Sequence, residues 1–326
     1  MDIIELKDPS SGSQARIAAH IGFNCYEFRA VVSRPDGASR VVEVIDAGSD
    51  FVRTGDRPSW HGIPVLFPFP NRIRAGRYEW DGRPYQIPRE VAPYDETGNA
   101  IHGFCLDRPW RVIEQTEQMV VGEFQLSIDA PDRRPYWPAD CRIRIRYEVR
   151  GAALRATIDV HNPDTAPLPW GFGTHAYFRL PLSPDTDPRQ CLIEAPASEE
   201  WELIDCLPTG RRHPVPPERD LRDGAEFGQV RLDNVMTGLQ YESGCLKCVV
   251  MDPEAGLQVT QLCPDVFREL VAFTPPGRNA VCLEPYTCVT DAINLQAKGI
   301  DAGLRVLSPG EHFRTWIHIE AGLVVA

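Results

Sequence analysis

No apolar run in this chain approaches the roughly 18 residues that a membrane span requires, so no spanning helix is expected. The net charge is −12 and no basic cluster of the kind that tracks a phosphate backbone is present. That argues against nucleic acid and anionic membrane surfaces as partners. Nothing at the N-terminus reads as a signal peptide, because Asp2, Glu5 and Lys7 interrupt any apolar segment and no basic start precedes them. The ten cysteines lack regular spacing. Without a secretory signal, reduced and buried thiols are the default, and a cytoplasmic location is the expectation. The one C-x-x-C, Cys245 to Cys248, has neither the second pair nor the two nearby histidines of a zinc site, and it lacks the βαβ setting of a redox motif. Two structural cysteines facing the same side of a turn or strand are expected there. Internal repeats and low-complexity tracts are also missing.

What is present is a chain of 326 residues with 43% hydrophobic content, ample for a substantial core. Its 30 prolines are nearly twice the usual share of about 5% and are spread throughout, which leaves few stretches for a long helix. The hydrophobic pattern has period two. Ile143, Ile145, Tyr147 and Val149 alternate with Arg142, Arg144, Arg146 and Glu148, and Leu154, Ala156, Ile158 and Val160 alternate with Arg155, Thr157, Asp159 and His161. Phe124, Leu126 and Ile128 follow the same rule, as do Phe313, Thr315, Ile317 and Ile319. One buried and one wet face per strand is the mark of antiparallel sheets, and Gly151-Ala152 suits a hairpin between two of these strands. Pro181–Pro188 and Pro208–Pro217 carry too many prolines for ladder hydrogen bonds and read as loops. Neither shifts composition enough to be a linker. The fold class is all-β, a large antiparallel β-sandwich with long loops, as one domain over residues 1–326.

Several segments carry chemistry. His175 follows a glycine-rich approach and precedes two aromatics in Trp170-Gly-Phe-Gly-Thr-His-Ala-Tyr-Phe178, where the two glycines would let the backbone approach a ligand closely. A histidine, with an ordinary pKa of about 6.5, donates and recovers a proton near neutrality. Glu284 stands among apolar neighbours in Cys282-Leu-Glu-Pro-Tyr-Thr287, an expensive place for a carboxylate without a task. Its ordinary pKa of about 4.3 would leave it ionised and ready as a base. Asn71 and Arg72 follow an apolar strand in Pro70-Asn-Arg-Ile73, and His102 lies in Ile101-His-Gly-Phe104; all three are donors suited to hydroxyl groups.

Taken together and in order, P-N-R-I, a tyrosine and D-G, I-H-G-F, P-Y-W-P, T-H-A-Y-F, L-D-N and L-E-P-Y-T make the chain resemble the galactose mutarotase-like aldose 1-epimerase family from about residue 60 to the C-terminus. The ending Leu307-Ser-Pro-Gly-Glu-His-Phe-Arg-Thr-Trp316 is similar to that family's last strands, and Ala15–Val32 matches more weakly. The resemblance implies a twisted β-supersandwich and interconversion of the α and β anomers of a free sugar. It implies His175 as acid and Glu284 as base, with Arg72 and His102 holding substrate. Asp233, in Arg231-Leu-Asp-Asn-Val235, matches an aspartate that holds ring hydroxyls, and Asn71 is grouped with the substrate-binding residues. Such a reaction opens a cyclic hemiacetal and closes it again. A base takes the anomeric hydroxyl proton while an acid protonates the ring oxygen, with no metal, cofactor or covalent nucleophile. The expected partner is a small monosaccharide, and the expected assembly is a monomer or a homodimer.

Two other readings stay open. A mutarotase for a phosphorylated hexose would need extra cations at the pocket mouth, where Arg74 or Arg77 are available. A non-catalytic carbohydrate-binding sandwich would be expected to lose the acid or the base. A glycoside hydrolase is disfavoured because it ordinarily uses two facing carboxylates. His312, Arg314, Trp316, His318 and Glu320 share one strand face, which reads as solvated rather than metal-binding. Trp170, then Trp137, and Trp60 are candidate platforms for the apolar face of a sugar, and His61 is a candidate rim contact.

Overall fold

The computed structural model describes residues 3–324. Two large antiparallel sheets dominate it. The nine-stranded sheet runs, in spatial order, Arg111–Gln115, Met119–Gln125, Arg142–Arg150, Ala153–His161, His312–Leu323, Leu257–Pro264, Cys245–Asp252, Leu192–Glu194 and Ala225–Glu226. The eight-stranded sheet runs Leu207–Pro214, Ala197–Ile204, Asp233–Leu239, Glu269–Phe273, Ala280–Tyr286, Gly173–Thr174 and Val65–Leu66, with Tyr177–Arg179 also pairing to Ala280–Tyr286. An N-terminal four-stranded sheet spans Ile3–Lys7, Gln14–Ala18, Asn24–Ser33 and Ser39–Glu43. The all-β sandwich read from the alternating pattern is the fold. None of the described helices is long and apolar enough to cross a membrane.

The regular strands form where the alternation is strict. Arg142–Arg150 and Ala153–His161 pair along their whole length, joined by Gly151 and Ala152. Gly151 takes a positive φ, as the first central residue of a type II′ hairpin turn does. Ile143, Ile145, Tyr147, Leu154, Ile158, Val160, Ile317 and Ile319 are buried in the main core, while the opposite face carries ion pairs such as Arg314 and His312 with Asp159. The strand face of His312, Arg314, Trp316, His318 and Glu320 is solvated, as expected.

Three local expectations fail. The alternation through Phe124, Leu126 and Ile128 does not continue as a strand, because a short helix, Leu126–Asp129, begins after Gln125 and leaves Ile128 exposed. Pro208–Pro214 is not a loop but most of the strand Leu207–Pro214. It sits at the outer edge of its sheet, where the missing proline N–H costs no ladder bond. Cys245 and Cys248 lie on one extended strand, where residues three apart point to opposite faces, so they do not share a side. Pro181–Pro188 is irregular, as expected, with the Asp252 carboxylate accepting from the Leu182 N–H and the Thr186 hydroxyl.

The eight-stranded sheet is buried on both faces near its centre. Leu270, Ala272, Val281 and Leu283 point into the main core. The alternate residues Glu269, Val271, Phe273, Cys282, Glu284 and Tyr286 point the other way, where Trp201, Val235, Val271 and Tyr286 pack in a smaller cluster with Leu66, Cys288 and Leu295.

Candidate active site

Register places the site. Tyr177 is opposite Cys282 and Gly173 is opposite Tyr286, so continuing that register sets His175 opposite Glu284 on the same face. His175 Nε2 lies 3.3 Å from Glu284 Oε1, and both residues are buried. The His175 ring stacks on Tyr177 at 4.7 Å between centroids and meets the edge of Phe273 at 6.2 Å. Phe273 in turn lies against Trp60, whose backbone carbonyl accepts from Arg278.

Tyr286 is not among the residues that the sequence singles out, yet it is buried and donates its hydroxyl proton to Glu284 Oε2. The signal is available: in E-P-Y on a strand, Glu284 and Tyr286 are two apart and share a face. This also corrects the reading of the two glycines. A Cβ at Gly173 would stand 2.2 Å from the Tyr286 ring, and one at Gly171 would stand 2.3 Å from Cys288 Sγ. The glycines make room for those side chains rather than for a ligand.

The upstream segment builds the opposite wall. Arg72–Ile73 pairs with Ala100–Ile101, and the His102 N–H donates to the Asn71 carbonyl at 2.9 Å. Asn71 and His102 both hold left-handed backbone conformations (φ 54° and 65°), which cost on the order of 1–3 kcal/mol each and cluster at functional sites. Gly103 follows with its Cα against the Phe67 carbonyl, where a Cβ would be 2.2 Å from the oxygen. The Asn71 side-chain oxygen accepts from Arg72 Nη1 at 3.0 Å, so Asn71 orients the arginine. Asp95, also unassigned from the sequence, accepts from Arg72 Nε and from the Asn99 N–H and Thr97 hydroxyl. Burial pushes its carboxyl up, but the bonds from Asn99, Arg72 and Thr97 win and hold it down at about 2. The His102 ring meets the His175 ring edge-on at 5.7 Å.

The fold thus brings His175, Glu284, Arg72, His102 and Asp233 together: the His102 ring meets that of His175, and the charges of Arg72 and Asp233 both act on Glu284. Asp233, paired with Phe273 at the start of its strand, is exposed on the rim, and its charge acts on both Glu284 and Arg72. Trp170 and Trp137 are not sugar platforms. Both are buried in the core, Trp137 against Phe69, Tyr78 and Phe104 and Trp170 against Phe313. Trp60 is the only one of the three tryptophans beside the pocket. His61 is structural: its Nδ1 accepts from the Gly48 N–H at 3.0 Å and its ring packs on Phe51.

Burial shifts the acid–base balance of the pair away from ordinary values. Burial lowers the His175 imidazole to about 3 and raises the Glu284 carboxyl well above its ordinary range. The Tyr286 bond and the Arg72 charge oppose the rise in Glu284, and the Asp233 charge adds to it. Both shifts favour a neutral pair, with the proton on Glu284, over an imidazolium beside an ionised glutamate. His102 is pushed down too, by burial first and then by His175 and Arg72.

The chain is similar to the Escherichia coli (strain K12) protein YihR, at 24% identity over 266 residues, 81% of this chain and 80% of that one. It is 29% identical over 164 residues to the galactose mutarotase of Rattus norvegicus, 49% of this chain and 44% of that one. In fold it is similar to the crystal structure of a galactose mutarotase-like protein from Clostridium acetobutylicum, with a TM-score of 0.83, 20% identity and 99% of both chains covered. The family model for aldose 1-epimerase matches residues 32–320, so the weak likeness over Ala15–Val32 falls almost wholly outside it. With nearly all of its sandwich inside that match, the protein belongs to the aldose 1-epimerase family.

Proposed function

We propose that the protein is a mutarotase that interconverts the α and β anomers of a free aldose, with His175 and Glu284 exchanging one proton through the sugar. The observation that carries this reading is the 3.3 Å contact between His175 Nε2 and Glu284 Oε1, with the His102 ring against His175 and the charges of Arg72 and Asp233 acting on Glu284. Ring opening takes the anomeric hydroxyl proton onto the Glu284 carboxylate while the His175 imidazolium gives its proton to the ring oxygen. The pair then holds the same single proton, now on Glu284. After rotation about the bond beside the aldehyde, closure on the opposite face returns both protons. The two states of the pair differ only in which member is protonated. Burial favours the state with the proton on Glu284, so the sugar's hydroxyls and Arg72 must stabilise the ionic one. Arg72, braced by Asn71 and Asp95, and His102 and Asp233 act as substrate-holding groups, and Tyr286 is a positioning residue for the carboxylate.

The free-sugar reading draws support from the two spare cations. Arg74 faces Asp291 and Arg77 donates to Gln86, so both have partners away from the catalytic pair. A sandwich that only bound sugar would gain nothing from burying a histidine and a glutamate in contact. The test is polarimetry on freshly dissolved α-glucose, α-galactose and a hexose 6-phosphate, with and without a chelator. Accelerated approach to equilibrium for a free aldose, unchanged by chelation, is expected. A preference for the phosphorylated sugar moves the assignment to that class, and no acceleration for any aldose removes the catalytic reading.

A further inference from the structure

The catalytic face carries a third side chain that the proton relay does not use. Cys282 stands two residues before Glu284 on the strand Ala280–Tyr286, so both point to the same face, and the register places His175 and Tyr177 beside them. One ligand atom from each of His175, Cys282 and Glu284 lies within 4.8 Å of the other two. A tetrahedral zinc ion needs ligands about 2.0–2.3 Å from its centre, hence roughly 3.3–3.8 Å from one another, so modest side-chain movement closes the set. The Tyr177 hydroxyl donates to the Ser59 carbonyl at 3.0 Å and also lies in hydrogen-bond contact with the Cys282 thiol, a contact that the metal would replace. The Nδ1 atoms of His175 and His102 are buried without a hydrogen-bond partner among the described residues.

We propose that His175, Cys282 and Glu284 form an inhibitory site for a thiophilic divalent cation, zinc foremost, which closes the proton relay when it binds. A nitrogen, a sulfur and a carboxylate oxygen are the donor set of zinc and not of magnesium or calcium, which take oxygen ligands. The pocket mouth supplies the fourth position, a water or a sugar hydroxyl. Binding releases the thiol proton and the proton of the His175–Glu284 pair, and the ion supplies the positive charge that a buried carboxylate and thiolate otherwise lack. Arg278 and Arg72 are the nearby cations that oppose entry, and Asp46 and Asp233 offset them. The blocking half rests on the mutarotase reading, whereas the binding half does not.

Cobalt(II) titrated into the intact chain is the probe, because it reports its ligands by absorption. The expected result is one equivalent bound with the intense visible bands of a four-coordinate ion and a near-ultraviolet thiolate-to-cobalt band. Zinc displaces it, and magnesium does not. Cys282→Ser, close to native in volume, should abolish the thiolate band and weaken zinc binding by at least the 10–100-fold that lesser changes around a metal cost. Cys282→Ala serves as the second variant should the serine chain fail to fold. With catalysis measured in parallel, zinc should inhibit the native chain and lose at least tenfold potency against either variant. Cobalt spectra without a thiolate band, or equal zinc affinity in native and variant chains, overturn the site. Binding that depends on Cys282 but leaves the rate untouched overturns the inhibitory role. A chain with no mutarotase activity still answers the binding question through the spectra, so failure of the functional reading is distinguishable.

Discussion

The two large sheets of this molecule follow opposite rules. In the nine-stranded sheet, long strands alternate between a core face and a wet face, and the charged residues of the wet face are paired in solvent, as in Arg146 and Arg150 with Glu148. In the eight-stranded sheet, the strand Ala280–Tyr286 is buried at every position, yet it carries a glutamate, and its neighbour Glu269–Phe273 carries another. Glu269 accepts from the Trp201 indole at 2.8 Å, and burial raises its carboxyl to about 7. The nine-stranded sheet buries carboxylates too, but each has donors that favour the charged form: Glu123 meets Arg144, and Asp252 accepts from the Leu182 N–H and the Thr186 hydroxyl. In the eight-stranded sheet, burial outweighs the donors at Glu269 and Glu284 and raises both carboxyls, and Glu284 is the one in contact with His175.

The sharpest way to break this comparison is to cut into each sheet in turn. Glu284→Gln or His175→Asn should lower kcat by roughly 10²–10⁴, the usual contribution of a positioned acid or base, with the circular dichroism spectrum unchanged. Ile158→Ala, in the core face of the regular sheet, should instead cost about 2–5 kcal/mol of stability in chemical denaturation while the folded fraction keeps its kcat. If Ile158→Ala lowers kcat as far as Glu284→Gln does, the division of labour between the sheets is wrong. Tyr286→Phe tests a smaller effect. Losing the hydrogen bond to Glu284 removes an interaction that favours the carboxylate, so the variant should lose about tenfold in kcat and its basic limb should move to higher pH. An unchanged pH profile would reduce Tyr286 to a packing residue.

The same contrast explains what is legible in the sequence. Strict alternation in Arg142–His161 can be read because one face is wet, and the hairpin at Gly151 and the solvated face of His312–Glu320 follow from it. Ala280–Tyr286 has no wet face, so period two vanishes there and the place of Tyr286 beside Glu284 goes unread, although the spacing alone gives it. The motifs supply His175, Glu284, Arg72, His102 and Asp233, which the fold brings near one another. They do not supply Asp95, whose link to Arg72 crosses a loop and has no periodic signature. The errors have a common cause. Chemical type alone makes Trp137 and Trp170 look like platforms, because burial is not visible in it, and the edge prolines of Leu207–Pro214 look like a loop until their position in the sheet is known. The expected protonation of the His175–Glu284 pair rests on ordinary pKa values, which hold only in water.

That protonation yields the last prediction, in which activity and stability must move together. Burial disfavours both the imidazolium and the carboxylate, so the singly protonated pair, the form that turns over, persists across a wider range than ordinary values of about 4.3 and 6.5 would allow. The acidic limb of kcat/KM then reports protonation of His175 while Glu284 already holds its proton, and it falls toward pH 3. The basic limb reports loss of the proton from Glu284, well above the usual carboxylate range. Both limbs are apparent values of the pair. The stability signs follow from the same perturbations. The folded state holds the Glu284 proton more tightly than the unfolded chain, so Glu284 contributes its full stability below about pH 4.3, and that contribution is lost as pH rises toward the folded value. His175 acts in reverse, because its folded value is depressed, and it withholds stability below about pH 6.5. Glu284→Gln keeps an acceptor for the Tyr286 hydroxyl but cannot ionise. It should therefore match the native chain near pH 4 and become more stable than it as pH rises, the gap widening by about 1.4 kcal/mol per pH unit until the raised folded value of Glu284 is reached. Denaturation midpoints of the two chains from pH 4 to 8 measure this directly. A gap that stays constant with pH means that Glu284 ionises in the folded protein as it does in water, and the pair then returns to the imidazolium–carboxylate form that the sequence suggests.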